Sequence, residues 1–154
     1  MQLAVNETSL RPLFAIIAVL SIAGIAVSGV SLQRHYAKSA TSYCDFNQNF
    51  NCDIVNRSEY SELAGIPVAG IGVAGYALLF ILSALRKSRA ETPTQLLSAS
   101  IWGLGFALYL TYVEAYQLRT WCILCLASQA LIFIITVLSV IIKFKGRTAS
   151  GVVS

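Results

Sequence analysis

The chain has 154 residues, 56% hydrophobic and 12% charged, with a mean hydropathy of +0.70. A soluble domain carries about 25% charged residues, so this composition excludes an ordinary globular protein and points to the membrane. The net charge of +4 does not argue for nucleic acid, because the Lys and Arg residues stand at the ends of apolar runs.

The first apolar run, 12–32, carries no charge. It meets the length of about 20 residues that a spanning helix needs. It also exceeds the apolar stretch of about 7–15 residues of a signal peptide, so it is expected to be retained as a helix. A polar loop, 33–65, follows and holds Arg34, Lys38, Asp45, Asp53, Arg57, Glu59 and Glu62. Within it, 56–64 reads as a short helix capped by Asn56 or Ser58 and stopped at Gly65-Ile66-Pro67. Tyr60 and Leu63 would turn toward the membrane. The second span is expected at 66–85, where Gly70, Gly72 and Gly75 allow close helix approach. The third is expected at 96–113 and the fourth at 121–142, joined by a short connection that begins at Glu114. The fold class expected is an all-α membrane protein: a four-helix bundle in one domain, with a half-helix in the first extracytoplasmic loop.

Orientation follows from the basic residues. With both termini cytoplasmic, Arg11, Arg86, Lys87, Arg89, Lys143, Lys145 and Arg147 lie inside. Arg34, Lys38, Arg57 and Arg119 lie outside, among a larger number of acidic residues that includes Glu114. Both cysteine pairs, Cys44/Cys52 and Cys122/Cys125, then fall on the outer face, where disulfides persist. The expected location is the inner (plasma) membrane, with the cysteines on the periplasmic side.

Cys122-Ile-Leu-Cys125 stands at the start of an apolar run. Residues i and i+3 share a helical face. The amino end of a helix carries partial positive charge and free N–H groups, which favour the thiolate, the nucleophile of disulfide exchange. Cys122 is expected to be the more exposed member and Cys125 the deeper one. The spacer between Cys44 and Cys52 is polar and Asn-rich, and reads as a mobile loop suited to a shuttle. Taken singly, Cys44/Cys52 also fits a plain staple and the CxxC a structural disulfide. A four-cysteine zinc site fits one tight and one loose pair poorly. Both pairs on one membrane face favour redox chemistry. His35 reads as an interfacial residue.

At Tyr43-Cys44-Asp45, Cys52-Asp53-Ile54-Val55-Asn56-Arg57-Ser58, Gly65-Ile66-Pro67-Val68 and Trp121-Cys122-Ile123-Leu124-Cys125 the sequence resembles the vitamin K epoxide reductase family, specifically its bacterial disulfide-forming members. The resemblance covers about residues 10 to 145. It implies a four-helix bundle around a quinone of the menaquinone, ubiquinone or vitamin K type. It also implies an active-site pair Cys122/Cys125, with Cys125 facing the quinone, and a relay pair Cys44/Cys52. In that scheme Cys44 exchanges with a partner protein and Cys52 attacks Cys122. Ser58 matches the family's hydroxyl residue over the pocket. Two departures stand out. No Asn occurs between Ser58 and Gly75, and Gln129 stands where relatives carry a Tyr one turn past the second active-site cysteine. Gln129, Tyr109 and Tyr112 are therefore the candidate quinone contacts. Many relatives fuse a thioredoxin-like domain to the bundle. This chain ends at Ser154, so the expected partner is a separate extracytoplasmic thioredoxin-fold (DsbA-like) protein.

The function expected is a quinone-dependent thiol oxidoreductase that generates disulfides in extracytoplasmic proteins. Two alternatives stand beside it. One is reduction of vitamin K epoxide or quinone by the same cysteines. The other is a non-catalytic tetraspan scaffold with structural disulfides.

Overall fold

Hydrocarbon offers the backbone no partners, so uncharged apolar runs cross a bilayer as helices that satisfy themselves. The computed structural model describes residues 2–37, 45–85 and 92–151. Its elements in chain order are α1 (Gln2–Tyr36), β1 (Asp45–Asn47), β2 (Phe50–Asn51), α2 (Cys52–Asn56), a 3-10 turn (Glu59–Ser61), β3 (Glu62–Leu63), β4 (Ile66–Pro67), α3 (Val68–Ala84), α4 (Thr92–Val113), a π-helical turn (Glu114–Leu118) and α5 (Ile123–Gly151). Cys44, Lys38 and the basic cluster Arg86, Lys87 and Arg89 lie outside the described residues.

Among the described residues, three stretches are long and apolar enough to cross a membrane: Leu10–Tyr36, Thr92–Leu118 and Ile123–Thr148. The chain is a helical membrane protein. α3 is equally apolar but has 17 residues. That gives about 26 Å at 1.5 Å per residue, against a hydrocarbon core of about 30 Å. It is shorter than the expected 66–85 because Ile66 and Pro67 are drawn into a strand.

α1 packs on α3 and α5, and α4 packs on α5 and α3. Small residues set the closest approaches. The Tyr76 ring of α3 lies over Gly24 of α1, where a Cβ would stand 2.3 Å from the ring. A Cβ on Gly72 would stand 2.8 Å from the Ser28 hydroxyl. Such contacts let helices associate where lipid is as apolar as their side chains. Phe14, Ile17, Tyr76, Leu79, Leu96 and Ile135 form the centre of the core. Buried hydroxyls are satisfied: Ser21 donates to the Ile17 carbonyl at 2.8 Å, and Thr136 reaches the Ser100 carbonyl of α4 at 3.2 Å. The outer surface inverts that of a soluble protein. Trp102 is 80% exposed, and Val19, Leu78, Leu108 and Phe133 stand out beside it. Water would not tolerate so much contiguous apolar area; lipid does.

The polar end departs from the sequence expectations in three places. The spacer 45–51 is a small hairpin rather than an irregular loop. β1 and β2 pair antiparallel, and the Asn47 carboxamide oxygen accepts the N–H groups of Asn49 and Phe50 at 3.0 and 3.2 Å, as Asn does in Asx turns. The short helix expected at 56–64 forms one turn earlier. The Asn51 side chain accepts the Ile54 N–H at 3.0 Å and so starts α2 at Cys52. The hydroxyls of Ser58 and Ser61 then take the carbonyls of Val55 and Ser58 at 2.8 and 2.7 Å, a side-chain competition that breaks helices. Ala64 and Gly65, with φ of 54° and 80°, make the two-residue turn joining β3 to β4. The third departure is Glu114, expected in an outer connection. It is buried, with 2% of its surface exposed, because the π turn that follows α4 swings it inward.

Candidate active site

The hairpin carries Cys52 to Cys122 by backbone pairing. Phe50 forms a parallel bridge with Trp121. The Trp121 N–H donates to the Asn49 carbonyl at 2.8 Å, and the Asn51 N–H donates to the Trp121 carbonyl at 3.2 Å. The residues that follow, Cys52 and Cys122, are both fully buried and share a small cluster with Val55. Leu118, Leu124 and Cys125 pack against it. Cys52 is held in a disulfide, whereas Cys122 and Cys125 are free thiols.

Cys122 occupies the residue before α5, and its carbonyl accepts the Leu126 N–H at 3.0 Å. The CxxC is thus at a helix start, as expected. The relative exposure is the reverse of the expectation: Cys122 is wholly covered by α2, while Cys125 is half-buried and opens on a cavity. The Cys122 thiol is shifted below its ordinary value. The chief cause is the Cys125 side chain hydrogen-bonded to it, aided by the backbone N–H groups of Cys125 and Leu124. Burial and the nearby Glu114 carboxylate oppose the shift. Here the free N–H groups of a helix start act on a sulfur, as such groups do in low-pKa cysteines.

Glu114 is the residue that sequence reasoning missed. Its carboxylate accepts the Cys122 N–H at 3.1 Å, and its side chain interacts with that of Cys125. The available signal was an acid at the end of an apolar run, eight residues ahead of the CxxC.

The cavity lies among α1, α3, α4 and α5 beneath α2 and measures about 500 Å³, within the range of small-molecule pockets. Its wall is mostly apolar, with Val27, Ile71, Leu79, Phe106 and Leu110 prominent. A few polar groups converge on it: Asn56, Ser58, Tyr76, Glu114, Cys125 and Ser128. The Asn56 amide nitrogen is buried without a hydrogen-bond partner, whereas buried donors are ordinarily paired. The cavity thus presents an unpaired buried donor on a mostly apolar wall. The Asn56 carbonyl is itself held by His35, whose Nδ1 donates to it at 2.6 Å, and His35 Nε2 stands 3.1 Å from Glu62. His35 is therefore a strut between α1 and the α2 turn.

The other sequence candidates sit as follows. The Ser58 hydroxyl lines the cavity but donates to Val55; it makes no helix cap. Gln129 accepts from the Thr111 hydroxyl at 2.8 Å and is not among the residues lining the cavity. Tyr109 and Tyr112 are exposed on the outside of α4, with Tyr112 stacked on Tyr116 at 4.9 Å. Tyr76 and Ser128, one hydrogen bond apart at 2.9 Å, occupy the wall instead.

No curated protein matches the chain. The model of the vitamin K epoxide reductase family matches residues 15–140, a stretch that holds the cavity, both cysteine pairs and Glu114. On that match the chain belongs to the vitamin K epoxide reductase family.

Proposed function

We propose that this membrane oxidoreductase generates disulfides in extracytoplasmic proteins and passes the electrons to a quinone. The carrying observation is that Cys52 and Cys122 are buried against each other while Cys125, one turn on, opens on an apolar cavity. One end of the CxxC meets a protein disulfide and the other meets the bilayer's interior.

The chain is read as four spans, α3 being the short one, with both termini cytoplasmic. A thioredoxin-fold partner gives its dithiol to the Cys44–Cys52 disulfide and leaves with a disulfide of its own. The Cys52 thiolate attacks Cys122 of the Cys122–Cys125 disulfide and releases Cys125. Cys44 then attacks Cys52, which restores the relay disulfide and frees Cys122. The Cys122/Cys125 dithiol is reoxidised at the cavity. A bound quinone supplies the acceptor for two electrons and two protons and so pulls the chain of exchanges, each of which is otherwise close to balance. Asn56 would orient its carbonyl. The lowered thiol of Cys122 suits it to act as the thiolate that closes the Cys122–Cys125 bond.

Thiol trapping in membranes tests this reading. Free thiols are alkylated with a mass tag, with and without added quinone, in wild type and in Cys125→Ala. The expected result is quinone-dependent oxidation in wild type and a Cys52–Cys122 linkage that accumulates in Cys125→Ala. Disulfides that stay inert whatever the quinone would establish the scaffold alternative instead.

A further inference from the structure

We infer that Glu114 is a catalytic acid–base residue, which takes the Cys125 thiol proton and delivers it to the oxygen of the acceptor in the cavity. The inference rests on the quinone reading above and adds the proton path to it. Three observations carry it. Glu114 is 2% exposed, in a region where a carboxylate is costly unless it is paired or used. It lines the same cavity as Cys125, and the two side chains interact. The π turn Glu114–Leu118 interrupts the end of α4 at this residue, and such turns frequently mark functional sites.

The step balances. The Cys125 S–H bond breaks and the Glu114 O–H bond forms. The Cys122–Cys125 S–S bond then forms as two electrons pass to the quinone. Glu114 returns its proton to one quinone oxygen. The other oxygen takes a proton from the aqueous face, replacing the one Cys122 lost when it ionised. The net change is dithiol plus quinone to disulfide plus quinol.

A second role is visible in the structure: the carboxylate also accepts the Cys122 N–H. Glu114→Gln separates the two roles, since the amide oxygen can still accept that N–H but cannot hold the Cys125 proton. Two readouts are needed. The first is quinol formation driven by a small dithiol. Glu114→Gln is expected to lower it by at least about 100-fold, the lower range of general acid–base catalysis. The second uses quinone-free protein carrying Cys122→Ser, in which Cys125 is the thiol alkylated at the CxxC. Adding Glu114→Gln should speed that alkylation, by about tenfold at neutral pH for a one-unit shift, because a carboxylate beside a thiol opposes its ionisation and its loss favours the thiolate. Faster alkylation together with slower turnover is the pattern that a merely structural role would not give. Unchanged alkylation and turnover in Glu114→Gln would overturn the assignment and leave the quinone reading standing. Wild type without quinone-dependent turnover would overturn both. If the Gln variant fails to assemble, Glu114→Asp decides: withdrawing the carboxylate by one methylene should lower turnover and quicken alkylation, and unaltered rates would overturn the assignment.

Discussion

Cys122 and Cys125 are separated by two residues and live in different places. Cys122 lies under α2 against Cys52 and Val55, with helix-start N–H groups around its sulfur. Cys125 stands one turn down, on the wall of an apolar cavity. The same i, i+3 spacing that lets the two bridge also lets one pair of sulfurs connect a packed protein contact to a lipid-side pocket. The helix start is where this division falls. Outside it the chain is held by backbone pairing, and inside it by apolar packing.

The largest effects should come from cutting the two halves separately. Cys125→Ala is expected to abolish quinol formation whatever the electron donor. Cys52→Ala should abolish it with a thioredoxin-fold donor yet retain it with a small dithiol that reaches Cys122 directly. Quinol assays with both donors check this, and equal loss in both variants with both donors would show that the halves are not separable.

Next in size is the titration of Cys122. A thiol shifted below its ordinary value ionises at lower pH than a free cysteine, so its thiolate fraction is the larger of the two at any pH below that value. The Cys125 side chain is the main cause. In reduced protein the ultraviolet thiolate absorbance should therefore show one midpoint below the ordinary thiol value of 9.0. Cys125→Ala should move the Cys122 midpoint upward. A midpoint unmoved by that substitution would assign the effect to the backbone N–H groups instead.

A smaller effect is expected from Trp121→Pro, which removes the N–H donated to Asn49. One hydrogen bond contributes about 1 kcal/mol net, so donor-protein turnover should fall by roughly fivefold while turnover with a small dithiol changes little. Equal losses in the two assays would mean that the bridge supports the whole helix start rather than the approach of Cys52.

The sequence made the membrane class, the three longer helices and the CxxC at a helix start legible, because hydropathy and local spacing encode them. The rest depends on contacts distant in sequence. Nothing within 45–51 shows that its strand pairs with Trp121, some 70 residues on, so an Asn-rich stretch reads as a mobile loop. Asn51, Asn56 and Ser58 are all capable caps, and only packing decides that Asn51 prevails. Gln129 lies within helical reach of Cys125, but the bundle turns Ser128 to the cavity and leaves Gln129 with Thr111. Glu114 looked like one more outer acid. Its burial depends on the π turn, which no residue pattern announces.

An effect of the same size, confined to KM, bears on the polar side of the cavity. Asn56 has an unpaired, buried amide nitrogen, and its carbonyl is held independently by His35. Asn56→Leu should keep that backbone contact while removing the orphan donor. In the quinone-free protein this should be neutral or slightly stabilising, since an unpaired buried donor costs about 1–3 kcal/mol. With quinone the same change removes one hydrogen bond, which is worth about 1 kcal/mol. The apparent KM for quinone should then rise about fivefold, with partner-protein kinetics untouched. Thermal unfolding without quinone and KM with it are measured on the same variant. A fall in stability with no change in KM would make Asn56 a structural residue of α2 and place the quinone's polar contact elsewhere on the wall, with Tyr76 and Ser128 the next groups to test. Opposite movement of the two quantities is the signature of a site that keeps a polar group unsatisfied for its ligand.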